Sequence, residues 1–376
     1  MNGMVTERNA AETLLKPEET ISFALHALYS GYGYSQYKMR KFEEYDLYAR
    51  NKDFLISDDI ITFTDTGGKL MALKPDVTLS IVRAGRDHPG SVQKVYYNES
   101  VYRISSRSGR FSELAQAGIE CIGSIDDYCI AETLELAVRS LQSISPHCSL
   151  ELSHLSLLSE ALDALCVPDG TRQALLQCVE QKNLHELERL CAAAGADESA
   201  VQRLKLLVRT AGSPERVLPL LRQLGIAPDA VAQLGRLCAV LVDAGLGKTL
   251  SLDFSIAGNQ NYYNGVVFRG FLSGVPAAVL SGGQYDRLMQ KFGRTDRAIG
   301  FAVYLDMLEH LSAPAAQYDA DVLLLYAPDA DLCALRREVS ALAAQGLRVS
   351  AQQSEPEKFR CRKRMRFDGE RVEVLE

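Results

Sequence analysis

Apolar residues recur at helical spacing over residues 17–28, and the period then shortens to that of strands through KLMAL at 69–73. A strand-rich region with interspersed helices extends to about residue 144. From 155 to about 246 the pattern is helical throughout. LLSEALDALC, TRQALLQCVEQ, NLHELERLCAAAG, AVQRLKLLVRT, ERVLPLLRQLG and DAVAQLGRLCAVLVDAG are consecutive amphipathic segments, several closed by a glycine suited to a left-handed cap. Strand pattern returns at LSLDFSIA, NYYNGVVFRGF and GVPAAVLSGGQYDRL, and a helix is expected to start near Ile299. The tail predicts a small α/β unit: a strand DVLLLY, a helix over about 328–345 capped by Gly346, a strand LRVSA, then the basic run of RCRKRMRF followed by a final strand. The organisation expected is a core in two parts, 1–150 and 249–314, split by an all-α insertion at 151–248 and followed by a short α/β domain at 315–376.

One stretch resembles a phosphate site in its residue types. Residues 58–68, DDIITFTDTGG, place two acids ahead of a Thr-Gly-Gly, as a ribose-phosphate cradle would. The spacing argues against it: Phe63 stands where a small hydroxyl residue would be needed, Thr66-Gly67-Gly68 comes several residues late, and no helix follows the glycines. Ile61, Phe63 and Asp65 alternate with Thr62 and Thr64, the glycines turn the chain, and Leu70 to Leu73 return. That is the pattern of a hairpin.

Composition narrows the function classes. A net charge of -7 gives no global reason to expect nucleic acid as a partner. Nine cysteines without a CxxC pair argue against a disulfide framework and a zinc site, and for a reducing, cytoplasmic setting. No apolar run is long enough to span a bilayer, and no leader pattern opens the chain, so a membrane partner is not expected.

Six segments, in order, carry a family resemblance: LMALKPDVTLSIVR (70–83), KVYYNESVYR (94–103), GRFSELAQAGIECIG (109–123), NYYNGVVF (261–268), SGGQYDRLMQKFG (281–293) and GFAVYLDML (300–308). Together they closely resemble the catalytic core of histidyl-tRNA synthetases. The resemblance implies an α+β fold of the class II synthetase type, an antiparallel sheet flanked by helices. It also implies a homodimer through motif 1, around KMRKFEEYDLY, where Arg40 replaces the class proline. A histidine pocket follows from it as well. Asp76 and Thr78 fall on the ammonium ligands, with Gln116 beside them for ammonium or carboxylate. Glu120 and Tyr263 fall on the imidazole positions, with Tyr262 and Tyr285 as walls. Without the resemblance the same residues would read as hydrogen-bonded polar groups of a sheet core.

The synthetase chemistry is less well preserved. The motif 2 arginine is kept as Arg103, but Gly258 stands where a catalytic arginine belongs and Met307 where the motif 3 arginine belongs; Lys74 replaces the usual arginine before the proline. Each lost arginine removes on the order of a few kcal/mol of transition-state stabilisation. Catalytic residues, a cofactor and a metal are therefore not expected. A complete anticodon-binding domain is not expected either, since roughly 60 residues follow Ala315. The basic run Arg360, Arg362, Lys363, Arg364 and Arg366 reads as a solvated face or protein contact more readily than as a nucleic-acid site. A kept amino-acid pocket with lost ATP chemistry resembles the regulatory-subunit family of ATP phosphoribosyltransferase. That family implies a hetero-oligomer, expected as a hetero-octamer, with a short catalytic subunit that the chain activates and through which free histidine inhibits. Two other readings stay open: a diverged histidyl-tRNA synthetase, and a free-standing histidine-binding module of the same fold.

Overall fold

The structure, a computed structural model, describes residues 17–51, 60–85, 90–104, 109–256, 262–311, 318–369 and 371–375. Asp58, Asp59 and Gly258 lie outside the described residues. The chain divides into two compact units, one spanning Ile21–Leu311 and the other formed mainly by residues after Leu311.

The larger unit is built on a nine-stranded sheet. In chain order its elements are α1 (Pro17–Gly31), β1 (Ser35–Gln36), β2 (Phe42–Glu44), α2 (Tyr45–Ala49), β3 (Thr62–Thr64), β4 (Leu70–Leu73), α3 (Thr78–Ala84), β5 (Val92–Ile104), β6 (Phe111–Gly123), α4 (Asp127–Ile144) and β7 (Cys148–His154). Then come α5 (Leu155–Asp163), α6 (Asp169–Glu180), α7 (Leu184–Ala193), α8 (Glu198–Arg209), β8 (Ala211–Gly212), α9 (Pro214–Leu224), α10 (Pro228–Asp243), β9 (Leu250–Asp253), β10 (Val266–Leu272), β11 (Leu280–Gln284), α11 (Asp286–Lys291) and β12 (Arg297–Tyr304). The sheet order is β1-β5-β6-β12-β11-β10-β7-β9-β8, antiparallel from β5 through to β7.

Period-two alternation on β6 decides which residues meet which layer. Ala117, Ile119 and Cys121 join the large apolar cluster formed with α1 and α4, while Gln116 and Glu120 point to the opposite face. Helix α4 is held at its start by Asp126, whose carboxylate accepts from the Cys129 N–H at 2.9 Å. The six helices α5 to α10 match the six amphipathic segments, and their apolar stripes feed the same cluster: Leu158, Leu187, Leu204 and Leu234 are buried with Leu134 and Leu150. Gly225 closes α9 at φ 65°, a left-handed cap that favours glycine.

The hairpin expected around residues 61–73 is present as β3 and β4, with β2 paired on the other edge of β4. Asp65 Oδ1 accepts from the N–H groups of Gly67 and Lys69, each at 2.8 Å, so the side chain itself ties the turn. The helix expected near Ile299 is instead a strand. Residues Arg297–Tyr304 form β12 in the middle of the sheet, and the only helical turn there is the 3-10 segment Leu305–Leu311 that follows. Ile299, Phe301 and Val303 face the helices while Ala298, Gly300 and Ala302 face away; with both faces covered, the apolar run shows no clean alternation.

The smaller unit holds β13 (Ala320–Tyr326), α12 (Leu332–Ala344), β14 (Val349–Gln352), β15 (Cys361–Phe367) and β16 (Val372–Val374) in the order β14-β13-β15-β16. Its basic run is itself strand β15, parallel to β13 and followed by the expected final strand β16. Arg360 pairs with Asp319, Arg362 with Asp321, and Arg364 with Glu355, while Met365 and Phe367 enter the core. Acids of the same unit thus already answer much of that charge.

Candidate functional site

A cavity of about 440 Å³ opens on the face of the sheet away from the large helical cluster. Asp76, Thr78, Arg103, Gln116, Glu120, Tyr262, Tyr263 and Tyr285 all line it. The sequence segments that carry them are far apart, and the strand order brings them together. Met307 does not line the cavity; it packs, half-buried, against the large apolar cluster.

Glu120 is the centre of the hydrogen bonding. It is 2 % exposed, and its two carboxyl oxygens are each engaged: Thr78 Oγ1 donates to Oε1 at 2.7 Å and the Tyr285 hydroxyl donates to Oε2 at 2.5 Å. Tyr285 is therefore more than a wall, and Thr78 adjoins the imidazole position as well as the ammonium end. Burial pushes the Glu120 carboxyl up from its ordinary value of 4.5 to about 8, only partly offset by the two hydroxyl donors. A carboxyl in that state holds its proton at neutral pH until a cationic or donor ligand draws it out.

Asp76 lies at the start of α3, where its Oδ1 accepts from the Leu79 N–H at 2.9 Å. Burial raises its pKa, and the Leu79 N–H and the Arg103 guanidinium oppose the rise. Arg103 is held on β5 by donating its Nε–H to the Pro75 carbonyl at 2.9 Å. Lys74 has turned away from the cavity: it is fully buried, and its Nζ meets Glu99 Oε2 at 2.6 Å.

Local hydrogen bonds set the tyrosines. Asn264 donates its N–H to the Gln284 carbonyl at 3.0 Å and accepts from the Asp286 N–H at 2.7 Å, which fixes the Tyr-Tyr turn against the start of α11. The Tyr262 and Tyr263 rings meet edge-on at 4.6 Å, and Tyr262 lies 5.7 Å from Tyr285. Burial pushes all three hydroxyls up, so they act as neutral donors and acceptors. Room beside Glu120 depends on Gly300, its cross-strand neighbour on β12, where a Cβ would stand 1.9 Å from Glu120 Oε2.

Sequence reasoning missed Tyr97, Arg269, Ser281 and Tyr304, which also line the cavity. They stand on β5, β10, β11 and β12 at positions to which the family resemblance assigns no role, so only the strand register reveals them.

The chain matches the family model described as histidyl-tRNA synthetase over residues 9–308. It is 30% identical to a Thermus thermophilus protein named ATP phosphoribosyltransferase regulatory subunit, over 86% of this chain and 87% of that one. Among solved structures it is similar to an ATP phosphoribosyltransferase regulatory subunit/histidyl-tRNA synthetase from Bacillus halodurans, with TM-score 0.73 and 22% identity, covering 89% of this chain and 88% of that one. It is also similar to a chain of an ATP phosphoribosyl transferase (HisG:HisZ) complex from Thermotoga maritima, with TM-score 0.62 and 20% identity over 76% of this chain and 96% of that one. These two likenesses are of fold.

Proposed function

We propose, because this chain belongs to the histidyl-tRNA synthetase-like family of ATP phosphoribosyltransferase regulatory subunits, that it binds a short catalytic subunit, switches it on, and relays feedback inhibition by free histidine. The observation that carries the ligand is the cavity itself. It gathers Asp76, Gln116 and five tyrosines around Glu120, a set suited to a polar zwitterion with a hydrogen-bonding ring. In this reading Glu120 and Tyr263 face the imidazole, while Asp76, Thr78 and Gln116 face the amino-acid end. Tyr262 and Tyr285 close the pocket. The name of the Thermotoga maritima complex supports the partnership. Assembly as a hetero-octamer, with a homodimer through the class II core, belongs to the same proposal.

No turnover of its own is assigned to the chain. Met307 packs against the apolar cluster where a synthetase would hold an arginine over ATP, and Gly258 stands at the other arginine's place in the sequence. Arg103 is then left as the main arginine directed at the α-phosphate, where a synthetase uses several cations. Histidine-dependent exchange of pyrophosphate into ATP is accordingly expected to be absent from the purified chain, while calorimetry detects histidine binding. Exchange at a rate typical of a synthetase would instead identify a diverged histidyl-tRNA synthetase.

A further inference from the structure

The cavity has an acidic end and a cationic end, and among the described residues the cation at the far end makes no hydrogen bond or ion pair. Arg269 stands on β10 opposite Ser281 on β11; Ser281 stands opposite Ala302 on β12, and Ala302 opposite Gly118 on β6. Residues directly opposed across a ladder project to the same face, so Arg269 and Ser281 share the floor that carries Gln116 and Glu120. Three strand intervals separate β6 from β10, roughly 14 Å at the usual spacing.

Arg269 is half-buried, and among the described residues it makes no hydrogen bond or ion pair. Its cross-strand neighbour on the outer side, Glu151, feels its charge but does not line the cavity. On the inner side Ser281 Oγ and the Tyr304 hydroxyl lie 2.5 Å apart. Two hydroxyls sharing one hydrogen bond leave one O–H free to donate. Tyr304 in turn sits opposite Gln116 on β6, so a polar strip runs from Gln116 through Tyr304 and Ser281 to Arg269.

We propose that Arg269, with Ser281 and Tyr304, is the anion-accepting end of this cavity and holds the α-carboxylate of the amino acid whose ring faces Glu120. The proposal rests on the histidine reading given above and adds the residue that discriminates the amino acid from its decarboxylated analogue. Arg103 stands at the acidic end instead, where its Nε–H donates to the Pro75 carbonyl and its charge favours the Asp76 carboxylate. A guanidinium presents a fork that matches a carboxylate in two parallel hydrogen bonds.

Calorimetry with histidine and with histamine, which lacks the carboxylate, tests this on the full-length chain. The wild type is expected to prefer histidine by about tenfold to a hundredfold. Arg269→Met should bring histidine down to the level of histamine and leave histamine binding unchanged; Arg269→Lys should recover part of the preference. Unchanged histamine binding also reports that the variant is folded. Should Arg269→Met fail to fold, Ser281→Ala carries the same comparison with a smaller loss for histidine alone. Histidine binding that Glu120→Gln weakens but the Arg269 variants do not would overturn the carboxylate assignment and leave the histidine reading standing. Equal weakening of both ligands would mark Arg269 as merely structural. A wild type that binds neither ligand removes the histidine reading, and this inference with it.

Discussion

A Glu120→Gln variant will bind histidine about tenfold to a hundredfold more weakly than the wild type, the range expected for losing a buried, charge-assisted hydrogen bond. Glutamine keeps the length of the side chain but offers one acceptor oxygen where Thr78 and Tyr285 each donate to a separate oxygen. It also cannot ionise, so it gives an imidazolium no counter-charge. The variant has a second signature in stability. Burial raises the Glu120 pKa in the folded chain to about 8 from 4.5, so between those values the folded state holds a proton that the unfolded state has released. Stability from this group is complete below pH 4.5 and is lost as the pH climbs through 8. The wild type should therefore lose stability relative to Glu120→Gln as the pH rises from 5 to 8, a window set by that shift. Thermal unfolding of both proteins across that range checks it. Parallel curves would show that Glu120 is not the buried, proton-holding carboxyl described here.

The second large effect concerns what positions the cavity rather than what lines it. Lys74 is buried beside Glu99, and its backbone ties two elements together: its N–H donates to the Lys41 carbonyl at 3.0 Å and its carbonyl accepts from the Tyr102 N–H at 2.8 Å. The turn it begins carries Pro75, which Arg103 grips, and Asp76, which accepts from the Leu79 N–H in the first turn of α3. Lys74→Met leaves the partly buried Glu99 with, among the described residues, only the Met39 N–H as a donor, and should cost about 1–3 kcal/mol in urea unfolding. Lys74→Met combined with Glu99→Leu should recover much of that loss, because an apolar pair of similar volume needs no charge compensation. A double variant no more stable than the single would show that the backbone clamp, and not the ion pair, holds the turn.

Much of this molecule can be read in its sequence wherever one face of an element is wet. The six helices α5 to α10 show their stripes because their outer faces meet solvent, and the Asp65 turn is legible because its glycines and its side-chain oxygen are local. β12 is illegible for the opposite reason, being covered on both faces, so its apolar run could equally have been a helix. β15 hides behind its charge, since Arg362 and Arg364 are answered by Asp321 and Glu355, one of them outside its own strand pair. For the cavity, the residues within recognisable segments, such as Asp76, Gln116 and Tyr263, were named from the sequence. Arg269, Ser281 and Tyr304 were not, because no motif of the resemblance assigns those positions and their meeting depends on the register of β10, β11 and β12.

The function proposed for the chain is to sense histidine on behalf of a catalytic partner. A ligand shifts such an assembly only by its difference in affinity between two states, commonly about 1 to 3 kcal/mol. By reciprocity, partner substrates that favour the active state should weaken histidine binding. The most direct measurement is phosphoribosyl transfer from phosphoribosyl pyrophosphate to ATP by a short catalytic subunit in three mixtures: alone, with this chain, and with this chain plus histidine. The expected result is little activity alone, activation by the chain, and inhibition by histidine that Glu120→Gln relieves more than it lowers the uninhibited rate. A short subunit fully active alone and indifferent to the chain, with and without histidine, would contradict the account.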